Sequence, residues 1–383
     1  SSQMRLVLSS GEVVFCLCAA ALALYTWPLF LDDGSGAAWE FLRIWDDQEN
    51  FLDNDVIQRG LSLETLYAMF TMTRINVYEP FGWLLKAVEV QTFGLDSWRI
   101  RVVTAALHFG AALVLARASA MLLDILALLS DIKSGAEGDD AARGRREKRH
   151  WLGCCISATV FAVHPVHVEV VGWPSAQPYT LCALFSNLAL YVYVQEMYRK
   201  LCGASKDVES VNEILGVSMF SGYGRSDLLC CAPVAATLLA FLAVMLVSNY
   251  EGMHRDADVL SLTLYERVIK SLTTPIWVLR QIVWPTKLRP HYQLRPGELS
   301  VTNPDYLLSL VALASLALFT LWLFQHRQAP QHLLALAYFV VMVLPVSGLI
   351  QHGMVSAGCD RYAYLCSTVA VPYGGAALAR WFF

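Results

Sequence analysis

The chain has 383 residues, of which 56% are hydrophobic and 16% charged, with a mean hydropathy of +0.47. That balance excludes an ordinary soluble domain, and several apolar runs reach the roughly 20 residues that a helix needs to cross a hydrocarbon core. A formal net charge of -4 carries no basic excess, so the sequence offers no footprint for nucleic acid.

The expected fold is an all-α polytopic membrane domain spanning residues 1–383. The first apolar run, 13–31, is too long for a signal-peptide core and lacks a small-residue cleavage site, so it reads as a retained span. Arg5 ahead of it puts the N-terminal side in the cytosol. Further spans are expected at 102–123, 151–163, 179–198, 228–247, 306–324, 333–350 and 362–379, giving about eight in all. The third is short and needs the following His-Pro segment to complete it. The chain opens Ser-Ser-Gln and stops in Trp381-Phe382-Phe383, so both ends are expected to be cuts.

Lys and Arg accumulate in cytosolic loops close to spans, which tests this topology. Residues 130–150 form a basic insert carrying Arg143, Arg145, Arg146, Lys148 and Arg149, with a Gly/Asp/Ala-rich stretch, 134–144, expected to be flexible. Arg199, Lys200, Lys206, Arg225 and the turn at His326-Arg327 fall on the same side by parity. The opposite, luminal face then receives 32–101, 164–178, 248–305 and 351–361. Arg117 lies about two turns from a cytosolic end, close enough to snorkel there. The remaining spans carry no acidic residue near their centres, which speaks against an ion-coupled transporter with a midplane site.

Two luminal stretches have the pattern of helices lying in the interface. Phe81, Leu84, Leu85 and Val88 recur at helical spacing with Lys86 and Glu89 off that face. Val268, Leu272, Leu279 and Ile282 form a second stripe in the 248–305 loop, interrupted by Pro275 and closed by Pro285, with Trp277 and Trp284 at headgroup depth. Both are expected to roof a cavity. Most of the 10 cysteines lie in or beside apolar runs, where free Cys behaves as a small hydrophobe, so a disulfide framework is not expected.

Three polar constellations share the luminal face. Asp46-Asp47 opens an acidic cluster in the first luminal loop, where paired carboxylates can serve as general base, orient a hydroxyl or hold a divalent cation, or simply form a solvated loop. His164, His167 and Glu169 do not match a zinc helix motif; they suit either hydrogen bonds to a phosphate or sugar, or a structural turn. His352 and then Asp360-Arg361-Tyr362 stand at the mouth of the last span. Arg361 there either grips a lipid-linked phosphate, with tyrosines along the tail, or anchors the interface by pairing with Asp360.

In order, Trp45-Asp46-Asp47 with Asn50 and Asn54, Gly60-Leu61-Ser62-Leu63-Glu64, Phe93-Gly94-Leu95, His108, Phe161 to Glu169, Trp284-Pro285, Leu344 to Leu349 and Asp360 to Leu365 resemble a known family. It is the membrane domain of the transmembrane and tetratricopeptide-repeat-containing O-mannosyltransferases and their bacterial relatives, and the resemblance covers most of the chain. It implies a GT-C glycosyltransferase bundle in the endoplasmic reticulum membrane, or the inner membrane for a bacterial chain. Such an enzyme moves a sugar, mannose in this family, from a dolichyl or polyprenyl phosphate to Ser/Thr hydroxyls of a protein. Asp46 or Asp47 would be the base, Arg361 the phosphate grip, and His164, His167, Glu169, His352 and Tyr362 the rest of the donor site. No metal or other cofactor is required, although paired carboxylates are compatible with a divalent cation. The chain departs from the family at Glu79-Pro80, where relatives carry a basic residue or histidine. It lacks further membrane segments with a lysine motif between Tyr198 and Leu228, and it has no tetratricopeptide repeats. A non-catalytic scaffold of the same fold is the alternative, and a lipid or solute transporter a more distant one.

Overall fold

The computed structural model describes residues 10–31, 39–75, 77–134, 140–203, 243, 262–325, 330–349 and 356–382. It is mostly helical, as the absence of water demands of backbone in a bilayer. In chain order the helices are α1 (Ser10–Thr26), α2 (Asp55–Gln58), α3 (Leu63–Thr71), α4 (Pro80–Phe93), α5 (Ser97–Ser134), α6 (Asp140–Val163), α7 (Val168–Gly172) and α8 (Gln177–Gly203). They continue as α9 (Leu264–Val283), α10 (Pro304–Gln325), α11 (Pro330–Val343) and α12 (Tyr362–Phe382). A short antiparallel ladder pairs β1 (Tyr292–Gln293) with β2 (Ser356–Gly358).

Two helical stretches, Ser97–Ile125 and Pro304–Leu323, are long and apolar enough to cross a membrane, and the pair Trp151–Val163 and Pro165–Gly172, bent by 43°, makes a third if it is one span. The expectation of about eight spans is therefore not met among the described residues. Residues 228–247 lie outside them. The apolar parts of α1 and α11 are short, at Glu12–Thr26 and Ala335–Val346. Helices α8 and α12 have the length, but polar groups dilute their hydropathy. Gln177, Thr180 and Asn187 on α8, and Ser367 and Thr368 on α12, are all turned inward and buried. Helix α6 starts at Asp140, within the 134–144 stretch expected to be flexible. Ala141, Ala142, Arg145, Arg146, Glu147 and Lys148 are good helix formers.

Helix α5 packs along α8 and α6, and α12 packs on α6. Small side chains permit these close approaches, which in lipid replace the hydrophobic effect as the basis of helix association. Ala111, Ala112, Ala116 and Ala118 of α5 are all buried. At the crossing of α12 and α6 a Cβ on Gly375 would lie 2.5 Å from Ser157 Oγ and 3.2 Å from the Gly153 carbonyl, so only glycine fits there. Helix α10 is apolar all round and almost wholly exposed, as a lipid-facing helix is.

The two one-sided helices bury polar and apolar groups together. In α4 the apolar residues Phe81 and Val88 point outward, while Lys86 and Glu89 are buried together with Trp83 and Ala87. In α9, Val268 and Leu272 are exposed and Thr273, Thr274 and Gln281 are buried, whereas Ile282, expected on the same stripe as Val268, faces in. Helix α9 also runs unbroken through Pro275.

Candidate functional site

The loop before α2 is shaped by Asp47. Its Oδ2 accepts the Leu42 N–H at 3.0 Å, and its Oδ1 accepts the Ser175 N–H at 3.1 Å and the Ser175 hydroxyl. The side chain is fully buried, so it ties the acidic loop to the turn that opens α8. Asp46, one residue earlier, is only half-buried, and its carboxylate makes no hydrogen bond to a described residue. Burial raises its pKa, Arg361 and Lys86 pull it down, and Asp47 adds to the rise. The two aspartates are adjacent in sequence but unequal in surroundings: Asp47 is an acceptor built into the fold, and Asp46 has no hydrogen-bond partner among the described residues.

Arg361 is held by Glu169, 192 residues away in sequence. Its Nη1 donates to Glu169 Oε1 at 2.5 Å and its backbone N–H to Oε2 at 2.8 Å. Nη1 also reaches the Pro290 carbonyl at 3.3 Å, and the guanidinium lies over Trp173 (5.3 Å) and Tyr362 (5.5 Å). Asp360, the neighbour expected as its partner, instead accepts from Tyr292 at 2.8 Å and from Gln281 at 3.4 Å. Tyr362 thus stands beside Arg361 as expected, and Glu169 touches it directly.

The two histidines have their ring nitrogens committed. His164 Nε2 donates to the Ile282 carbonyl at 2.8 Å and Nδ1 accepts the Val166 N–H at 3.2 Å. His167 Nδ1 donates to the Phe161 carbonyl at 2.7 Å, and Nε2 meets Ser367 Oγ at 2.9 Å. His108 joins them: Nε2 donates to the Ala162 carbonyl and Nδ1 accepts the Tyr364 hydroxyl at 2.8 Å. Both ring nitrogens of His164 and of His167 are thus engaged within the fold, the arrangement of the structural-turn alternative. His352 lies outside the described residues.

Lys86 was missed as a site residue because it read as the solvated side of an interface helix. It is fully buried over Trp83 (4.3 Å), and its Nζ pairs with Glu79 Oε1 at 2.6 Å. Glu79, the departure from the family pattern, thus supplies the counter-charge for a lysine of its own helix. Deeper on α4, Glu89 accepts from Gln177 Nε2 at 2.5 Å, and burial pushes its pKa up to about 7 against the pull of Gln177 and Lys86. Among the described residues no three His, Cys, Asp or Glu side chains gather as metal ligands do. No family model, curated protein or solved structure matches the chain.

Proposed function

We propose that the chain is a glycosyltransferase of the GT-C kind, moving a sugar, mannose on the resemblance, from a dolichyl or polyprenyl phosphate to a Ser/Thr hydroxyl of a protein on the luminal side of the endoplasmic reticulum membrane. The observation that carries this reading is the half-buried, unbonded Asp46 in the field of Arg361 and Lys86, with Asp47 locked beside it. Asp46 takes the hydroxyl proton as the acceptor oxygen bonds to the anomeric carbon. The bond from that carbon to the phosphate oxygen breaks, and the phosphate leaves with the electron pair, stabilised by nearby cations. Asp47 keeps the loop in register and touches neither partner.

The test is transfer from dolichyl-phosphate mannose to a Ser/Thr-rich acceptor by the purified chain. Asp46→Asn should abolish it, whereas Asp47→Asn should lower it only as far as folding is lowered. No transfer by the wild type, or unchanged transfer by Asp46→Asn, would overturn the reading. The scaffold alternative has one observation in its favour: Arg361 and Lys86 are both already neutralised by carboxylates of the chain itself. On that reading the wild type folds and neither binds nor transfers the donor.

A further inference from the structure

A phosphate needs positive charge that is not already matched. Arg361 faces Glu169 at 2.5 Å and Lys86 faces Glu79 at 2.6 Å. Breaking either pair would leave a carboxylate largely buried without its partner, a costly exchange for one anion. Lys270 is different. Among the described residues its ammonium makes no ion pair or hydrogen bond, although its stem is closely held. The stem lies flat on Gly348, where an added Cβ would sit 2.7 Å from Lys270 Cδ and 2.8 Å from Cε and Nζ. Gly348 has φ +80°, a conformation that suits glycine, so the same residue makes the turn and leaves the bed for the lysine.

Neighbouring contacts tie the segment around His291 to the start of α12. The β1–β2 ladder pairs Tyr292 with Gly358, and Trp277 covers Gly358 so closely that a Cβ there would be 2.8 Å from its ring. Arg361 bonds the carbonyl of Pro290, the residue before His291. His291 consequently lies in the field of both Arg361 and Lys270. His291 thus links the surroundings of Lys270 on α9 to those of Arg361 at the start of α12, and Arg361 in turn acts on Asp46.

We infer that Lys270 supplies the unmatched positive charge that seats the phosphate of a lipid-linked donor, and that Arg361 orients this site without providing its net charge. This rests on the donor reading above. A lysine suits the role as a compact charge on a flexible stem that phosphate oxygens can meet from several directions. Burial depresses the Lys270 pKa, a penalty that a bound anion would relieve.

The experiment measures binding of sugar-free dolichyl phosphate to the purified full chain in nanodiscs, with inorganic phosphate as competitor. Lys270→Met should weaken binding by about 10- to 100-fold, the range of a lost charge-assisted contact, and Lys270→Arg should restore most of it. Gly348→Ala, which displaces the lysine stem without removing its charge, should weaken binding in the same direction. Wild-type affinity in Lys270→Met, or in folded Gly348→Ala, would overturn the inference and leave the donor reading standing. Failure of the wild type to bind dolichyl phosphate would overturn the donor reading and this inference with it. Inorganic phosphate competing as well as the lipid would overturn the lipid assignment.

Discussion

The segment from His164 to His167 and the cluster around Asp46 and Arg361 are both polar, lie close together and drew equal attention in the sequence, yet they differ in what is left over. In the first, both ring nitrogens of each histidine are spent, on Ile282, Val166, Phe161 and Ser367. In the second, Asp46 has no hydrogen-bond partner among the described residues and Lys270 no counter-charge, while Asp47, Glu169 and Glu79 hold the frame. A buried polar group with all its bonds satisfied is architecture. One that is partly open and electrostatically biased is available for chemistry.

The widest gap is expected at Asp46. Asp46→Asn should cost transfer about 10²- to 10⁴-fold with little change in thermal midpoint, because the side chain makes no hydrogen bond among the described residues. A matching loss of stability would erase the distinction. His167→Ala should do the reverse, destabilising the protein by about 2–4 kcal/mol through a cavity and unpaired groups at Phe161 and Ser367. Its residual transfer per folded molecule should stay near wild type, and thermal unfolding alongside an activity assay separates the two outcomes.

Glu89 tests the same idea through pH. Its folded pKa is raised from 4.5 to about 7, so the fold favours the protonated form. Stability from this group is fully present below about pH 4.5 and is lost as pH rises toward 7. Glu89→Gln should therefore stabilise the chain by about 2 kcal/mol at pH 8 and by nothing measurable at pH 4.5, read from unfolding midpoints. A gain of equal size at both pH values would sink the account. The smallest effect is expected at Asp47→Asn, where one amide oxygen still accepts a bond and the other position becomes a donor facing donors. A loss of about 1–2 kcal/mol is expected, with transfer per folded molecule near wild type.

Parts of this were legible in the residues. The Asp46-Asp47 and Arg361-Tyr362 motifs pointed to groups near enough for Arg361 to act on Asp46 electrostatically. The stripes of α4 and α9 marked real helices. Lys86 and Lys270 carried no motif and read only as polar positions on one-sided helices. The expected spans at 179–198 and 362–379 were read from apolar content alone, which does not register that Asn187 or Ser367 can be satisfied inside.

By itself the sequence determined the solvent and the class: apolar runs of bilayer length force helices, because backbone groups have no other partner in lipid. It also determined local turns, such as the glycine at 348 and the capping box at Ser62. Only tertiary structure decided which of two adjacent aspartates is spent, that Arg361 belongs to Glu169 rather than Asp360, and that the ring nitrogens of two histidines are engaged within the fold. Those choices depend on which groups from distant helices meet within 3 Å. Hydrogen bonds and ion pairs at that range are set by packing rather than by any local period in the chain.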